Sequence, residues 1–310
     1  MKCTFRYFTE EDFYKMEELV LKAYQWEVPS YGLSRYEFSK GFHPNPVEGG
    51  NCWRHTVGIF EDNGKIASGV ISEGNYEGDA FFIFDSQERA LDRELLEQMF
   101  AHAETHLSAI NNESKEMTLY LRIPKWNKDM TDIALNRGYI KEEWSEKVHI
   151  MPFGEEPFEV EIPEGYKIVD GRTTPDFFLS NVHMFAFLTG KPLADTREQS
   201  FHELRQMKHY NPELDLCMLN PDGKPVGMSI IWYDESMPYA ELEPLGVAWW
   251  DRRKGIATAL IHEAANRVRK LGNCNGMTGG SQPFYYDLGF ELKGEDDIYK
   301  WSKRIKQSWE

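Results

Sequence analysis

The sequence predicts an α/β (α+β) protein made of two tandem domains that repeat one plan, and three observations carry that expectation. A chain of 310 residues is longer than one hydrophobic core ordinarily organises and suits two domains of about 150 residues each. Residues 154–165, from Gly154-Glu155-Glu156-Pro157 to Ile162-Pro163-Glu164-Gly165, are rich in proline, glycine and acid. They read as a linker, placing the domains at 1–155 and 156–310. The halves on either side present helix, hairpin, long helix and last strand in the same order.

Each half opens on a helix. Thr9 is a candidate N-cap, followed by Glu10, Glu11 and Asp12 in the first turn and by an apolar stripe at Phe13, Met16, Leu19, Val20 and Ala23. In the second half Thr174 is the candidate cap and Pro175 the first helical residue. Phe178, Val182 and Phe185 follow at helical spacing, and Gly190 ends the element. A hairpin comes next. Residues 57–60 turn at Asp62-Asn63-Gly64 into 65–71, and residues 216–219 turn at Pro221-Asp222-Gly223 into 224–230. Asn-Gly and Asp-Gly supply the positive φ that tight hairpins demand. The long helices carry Leu91, Leu95, Met99, Ala103 and Leu107 in the first half. In the second they carry Ile256, Leu260, Ala264, Val268 and Leu271, with Gly272 as the stop. Arg137-Gly138-Tyr139 and Leu288-Gly289-Phe290 mark matching helix ends that run into a last strand.

Composition bounds the function. Apolar content of 41% with 14% aromatic residues predicts packed cores rather than disorder. The net charge of -16 argues against a polyanionic partner, so nucleic acid is not an expected substrate. No signal-like run follows Met1 and no stretch approaches a membrane span, so a cytoplasmic protein without membrane contact is expected. Cys3, Cys52, Cys217 and Cys274 stand singly, without metal-ligand or redox spacing, and no metal site is expected. Oligomeric state stays open. His43 and His55 lie in loop-like sequence, where a lone histidine is more often structural or solvated than catalytic. Trp26, Trp53, Trp232, Trp249 and Trp250 are expected mainly in cores or at a domain face.

One small anion site stands out against the acidic background. A strand-like segment over 239–247 runs through Ala248-Trp249-Trp250-Asp251 into Arg252-Arg253-Lys254-Gly255-Ile256-Ala257 and then the long helix. Gly255 and the small Ala257 let backbone approach a ligand, and the first amides of a helix have no intrahelical acceptor. Such a terminus favours an anion, and three basic residues add charge at the same place. Neither a Walker loop nor a Gly-x-Gly-x-x-Gly turn is present. The strand, the Arg-x-x-Gly-x-Ala turn, the helix and Tyr285-Tyr286-Asp287-Leu288-Gly289-Phe290 about thirty residues on together resemble the GCN5-related N-acetyltransferase (GNAT) superfamily. The match is sharpest over 241–261.

That resemblance implies tandem GNAT-like domains, each a mixed, mostly antiparallel twisted sheet flanked by helices, splayed between its fourth and fifth strands. It implies acetyl-CoA as acetyl donor, with the backbone of Leu245, Gly246 and Val247 against the pantetheine arm. The amides from Arg253 through Lys254, Gly255, Ile256 and Ala257 to Thr258 would hold the pyrophosphate beside Arg252. Trp249 departs from the family's usual proline, and the short polar segment 273–278 departs from its usual fifth strand. By the same resemblance Tyr285 is the candidate acid for the leaving thiolate and Glu241 the candidate base, with Glu243 in reserve. A phenol, protonated at neutral pH, suits the first role. Glu241 and Glu243, two apart on a strand, are expected to share a face.

The first half lacks these features. Pairing Leu95-Leu96 with Leu260-Ile261 sets Gln87, Ala90 and Asp92 opposite Arg252, Gly255 and Ala257. Pairing Gly138 with Gly289 sets Ala134 opposite Tyr285. A degenerate copy that serves packing or acceptor recognition is expected. The function expected overall is N-acetyl transfer to a primary amine of a small molecule or peptide. The rival is a catalytically silent acyl-CoA-binding or regulatory protein.

Overall fold

The computed structural model describes residues 3–41, 53–74, 77–187 and 198–305; His43, Cys52 and Gly190 lie outside them. Two compact units emerge. The first comprises 3–39, 53–74, 77–148 and 292–305, and the second 40–41, 149–187 and 198–291. The last strand of the chain thus belongs to the first unit, whereas a division at 155 assigns it to the second.

The first unit runs β1 (Thr4–Tyr7), α1 (Phe13–Ala23), α2 (Leu33–Gly41), α3 (Trp53–Thr56), β2 (Gly58–Asp62) and β3 (Lys65–Ile71). It continues with β4 (Asp79–Phe84), α4 (Gln87–Ala90), α5 (Arg93–His106), β5 (Ala109–Asn111), β6 (Glu116–Pro124), α6 (Lys128–Asn136) and β7 (Ile140–Pro152). The second unit holds β8 (Lys167–Asp170), α7 (Asp176–Phe187), α8 (Glu198–Leu204), β9 (Asp215–Leu219), β10 (Pro225–Trp232) and β11 (Glu241–Val247). After these come α9 (Ile256–Arg269), β12 (Gly276–Gly279) and α10 (Pro283–Asp287), and β13 (Glu291–Arg304) follows as the last strand of the first unit.

Strand order in the first unit is β1-β2-β3-β4-β6-β13-β7, with β5 on β6. The ladders β1–β2, β2–β3, β3–β4, β5–β6 and β6–β13 are antiparallel, and β4 pairs with β6 in parallel. In the second unit β11-β10-β9-β8 form one antiparallel sheet, and β12 pairs antiparallel with residues 149–152 at the end of β7. Periodicity chose the buried faces well. Phe13, Met16, Leu19, Val20 and Ala23 are all buried on α1, as are Leu95, Met99 and Ala103 on α5 and Ile256, Leu260, Ala264 and Val268 on α9. Leu91 and Leu271 lie just outside their helices and are exposed. Thr174 does not cap α7: its hydroxyl donates to Asp170 O at 3.1 Å.

The repeat holds in detail. Both hairpins turn on a left-handed glycine, Gly64 at φ 74° and Gly223 at φ 75°. α5 and α9 each span 14 residues. After α6, Tyr139 N donates to Ala134 O at 3.0 Å around Gly138 at φ 85°. After α10, Phe290 N donates to Tyr285 O at 3.1 Å around Gly289 at φ 87°. Ala134 and Tyr285 are thus structural equivalents. Among the described residues no helix is long and apolar enough to cross a membrane. Cys217 and Cys274 are buried free thiols and Cys3 a half-buried one.

Candidate active site

The site begins where β11 leaves its neighbour. Ala240 and Met277 form a single parallel bridge, with Ala240 N donating to Gly276 O at 3.0 Å and Thr278 N donating to Ala240 O at 2.9 Å. Leu242 N then turns to the Thr278 hydroxyl at 3.2 Å. Beyond that point no ladder joins β11 and β12 among the described residues, so the two strands part. On its other side β11 stays paired with β10 through Ser229–Leu245, Met228–Gly246 and Gly227–Val247. Leu245, Gly246 and Val247 therefore form one lip of the gap. Gly246 is needed for packing here, since a Cβ would lie 2.9 Å from Ala186 Cβ and 3.0 Å from the Phe187 ring.

Register in β11 shifts between Ser229–Leu245 and Ile231–Leu242, so β11 carries one extra residue at Glu243-Pro244. The bulge breaks the parity that was expected to put Glu241 and Glu243 on one face. Glu241 is buried, opposite Trp232, whereas Glu243 is exposed.

After Val247 the chain makes a short 3₁₀ turn, Trp249–Asp251, and enters Arg252–Gly255. Arg253 (φ 66°) and Gly255 (φ 80°) adopt left-handed backbone on either side of Lys254. Alternating hand of this kind turns successive amides toward a common point, an anion-binding concavity. Gly255 is the N-cap of α9 and gives it no side-chain acceptor; the ladder starts with Ala259 N to Gly255 O at 2.9 Å. The amides of Ile256, Ala257 and Thr258 thus stand at an end without a side-chain cap.

Only part of the expected positive charge faces this concavity. Arg252 Nε donates to Val247 O at 3.1 Å and its Nη2 to Ala186 O at 2.8 Å, so Arg252 braces the lip against α7. Lys254 Nζ donates to the buried Asp251 carboxylate and, at 2.9 Å, to the Tyr166 hydroxyl. The Tyr166 hydroxyl itself donates to Asp251 Oδ1 at 2.7 Å. Burial pushes the Asp251 carboxyl up, but the bonds from Lys254 and Tyr166 outweigh it and hold it below its ordinary range. Arg252 and Lys254 shape the turn, and exposed Arg253 has no ion-pair partner among the described residues.

Tyr285 sits on α10, whose first residue is Pro283. Its ring meets Phe290 edge-on at 5.1 Å. It fits because residues 279 and 280 are glycines: a Cβ would come within 2.8 Å of the ring at Gly279 and 2.7 Å at Gly280. Burial and then the charge of Glu243 push the phenol up to about 12, against a hydrogen bond from the Gly280 backbone. Of the two strand glutamates, Glu243 is the one whose charge reaches Tyr285. A neighbour escaped sequence reasoning: fully buried His149, from the end of β7, whose Nε2 lies 2.7 Å from the Tyr286 hydroxyl. No local signal could have found it, because His149 precedes the linker and pairs opposite Gly279 only through the β7–β12 ladder.

The first unit answers its counterpart differently. Asp92 is the N-cap of α5, and its Oδ1 accepts from Glu94 N at 3.1 Å and Leu95 N at 3.2 Å. Cap for cap, Asp92 matches Gly255 rather than Ala257, a two-residue correction to the alignment of the halves. A carboxylate of the chain itself occupies the end that α9 leaves open.

Comparison with known proteins agrees with this geometry. Residues 181–290 match the acetyltransferase (GNAT) family model. A GCN5-related N-acetyltransferase from Sphaerobacter thermophilus superposes with a TM-score of 0.61 at 15% identity, over 98% of this chain and 96% of that one. A tandem GNAT protein from the clavulanic acid biosynthesis pathway, solved without AcCoA, gives 0.61 at 11% identity over 99% and 100%. No curated protein matches the chain by sequence. Residues 181–290 thus carry the match to the acetyltransferase (GNAT) family, and the chain as a whole shares the mixed, largely antiparallel fold of these GNAT structures, a tandem one among them.

Proposed function

We infer that the protein is an acetyl-CoA-dependent N-acetyltransferase with one cofactor site, in the second unit, acting on a primary amine of a small molecule or peptide. The observation that carries this is the open N-terminus of α9 beside the parted strands β11 and β12, with Tyr285 packed against Gly279 and Gly280 at the end of β12. The amides of 253–258 suit a pyrophosphate, and the lip 245–247 suits the amide-bearing pantetheine arm. Val247 O, already bonded to Arg252, leaves Leu245 and Gly246 as the main backbone partners there.

The chemistry follows from what each group can hold. The amine nitrogen attacks the thioester carbonyl, a C–N bond forms, the C–S bond breaks and the thiolate leaves. Tyr285, protonated at neutral pH, supplies the proton that the thiolate takes. Glu243, exposed beside it, is placed to take the proton that the nitrogen loses, through water. Buried Glu241 is better suited to holding the strand than to exchanging protons.

The test is release of free CoA thiol from acetyl-CoA with a panel of primary amines, alongside calorimetric titration of CoA. Binding of one CoA with amine-dependent thiol release supports the reading. Binding without release from any amine would leave the silent acyl-CoA-binding protein as the account.

A further inference from the structure

In the first unit, too, two strands part, and there the gap is not filled. β4 and β6 pair in parallel only at Asp79–Tyr120 and Ala80–Leu121. Beyond those pairs, residues 81–84, Arg122 and Pro124 border a cavity of about 210 Å³, room for roughly seven water-sized groups. It is the first-unit counterpart of the gap that β11 and β12 open in the second.

Its chemistry is opposite to that of an anion site. Aromatic rings form one wall: Trp26 and Trp126 meet edge-on at 5.8 Å, and the Trp26 indole N–H donates to Phe84 O at 3.3 Å. Glu27 and Asp296 also line the space. Asp296 is 8% exposed and accepts a hydrogen bond from Ser30. Among the described residues none donates a hydrogen bond to the half-buried Glu27 carboxylate. Gly294 brings the two acids together: a Cβ there would lie 3.1 Å from Val28 O, so β13 runs tight against the segment that carries Glu27. Burial, then the charge of Asp296, raises the Glu27 pKa to about 8, and burial raises Asp296 to about 6. Arg122 and Arg35 lower Asp296 in part but do not outweigh its burial, and Arg35 is itself paired with Glu73 and Glu146. Arg122 is committed to Asp79 and Glu146, Glu295 is paired with Lys125, and Lys293 is exposed. A phosphate would meet two acids here and a helix end already capped by Asp92.

We propose that this cavity is a binding site for a small organic ammonium ion, held by Glu27 and Asp296 against the faces of Trp26 and Trp126. A cation supplies what the pocket lacks, namely donors for the Glu27 carboxylate and a positive charge between two like charges, and indole faces favour ammonium groups. The site is independent of acetyl transfer and needs no CoA.

The experiment is calorimetry of the full chain with benzylamine and 1,4-diaminobutane, and with benzyl alcohol and 1,4-butanediol as neutral isosteres. The amines are expected to bind at least about tenfold tighter than the alcohols, and Trp126→Ala to weaken them by a similar factor. Glu27→Gln keeps the shape of the protonated acid, so it should leave the fold intact by circular dichroism while weakening amine binding about tenfold. At pH 7 amine binding should also release a proton as Glu27 ionises, read as a dependence of the heat on the buffer's ionisation enthalpy and lost in Glu27→Gln. Equal binding of amines and alcohols would overturn the proposal, as would no amine binding at 10 mM (about 10⁴-fold weaker than a micromolar site). Unchanged affinity in folded Glu27→Gln would also overturn it, and so would a second CoA per chain displaced by Trp126→Ala.

Discussion

Gly255 has open space where a side chain would stand, yet its φ of 80° asks for glycine. Backbone conformation is therefore a second reason for glycine here, beside the clearance for a ligand read from the motif. Gly255→Ala should cost about 1–2 kcal/mol through the left-handed strain, read as a drop in thermal midpoint, and loosen CoA by distorting the amides. Tyr285 is the other residue on which the proposed chemistry rests. Tyr285→Phe should lower kcat about 10²-fold or more while CoA affinity by calorimetry stays nearly constant; unchanged turnover removes Tyr285 from the mechanism. The direction of its pKa also fixes a pH profile. A phenol raised to about 12 keeps its proton through neutral and moderately alkaline solution. No alkaline fall in kcat from this group is therefore expected below about pH 11. Removing the Glu243 charge by Glu243→Gln should move any such fall to lower pH, because that charge is one of the two causes of the rise.

At the level of elements, the contrast between Asp92 and Gly255 states the difference between the halves in chemical terms. Both cap a 14-residue helix; one fills the amides with its own carboxylate and the other gives them no side-chain acceptor. Gly255→Asp should bring a carboxylate to the α9 amides, at the cost of left-handed strain, and weaken CoA at least tenfold (about 1.4 kcal/mol) and beyond the loss in Gly255→Ala, with helix content preserved by far-ultraviolet circular dichroism. Full CoA affinity in that variant would show that the amides are not the anchor. Much of this was legible beforehand: the stripes of α1, α5 and α9, both glycine-turned hairpins, and the equivalence of Ala134 and Tyr285 all follow from spacing and glycine placement. The bulge at Glu243-Pro244 was not. A strand's side-chain parity can be read from sequence only if the ladder is regular, and its register is set by β10, a partner that local pattern does not reveal. The same limit hid the commitment of Lys254 to Asp251 and Tyr166, since Tyr166 comes from a segment 88 positions away in the chain.

For the molecule as a whole, the sequence supplies a repeat but not the allocation of its last strand. β13 pairs with β6 at nine consecutive positions, from Asp296–Pro124 to Arg304–Glu116, and stands between β6 and β7 in the first unit's sheet. Tyr299 and Trp301 from β13 also pack into that unit's apolar core with Phe100, Leu119, Leu121 and Tyr139. A boundary drawn at 155 from linker composition therefore cuts through a folding unit. A fragment of residues 1–155 would leave the β6 edge open in mid-sheet and uncover the core beneath Tyr299 and Trp301, both unfavourable in water. Such a fragment is expected to be unfolded or aggregated, with no cooperative thermal transition. Adding residues 291–305 as a peptide in trans should restore a transition by supplying the missing strand, and a peptide with Tyr299→Asp and Trp301→Asp should not. If the 1–155 fragment alone melts cooperatively at the temperature of the first unit in the full chain, β13 is dispensable to that unit.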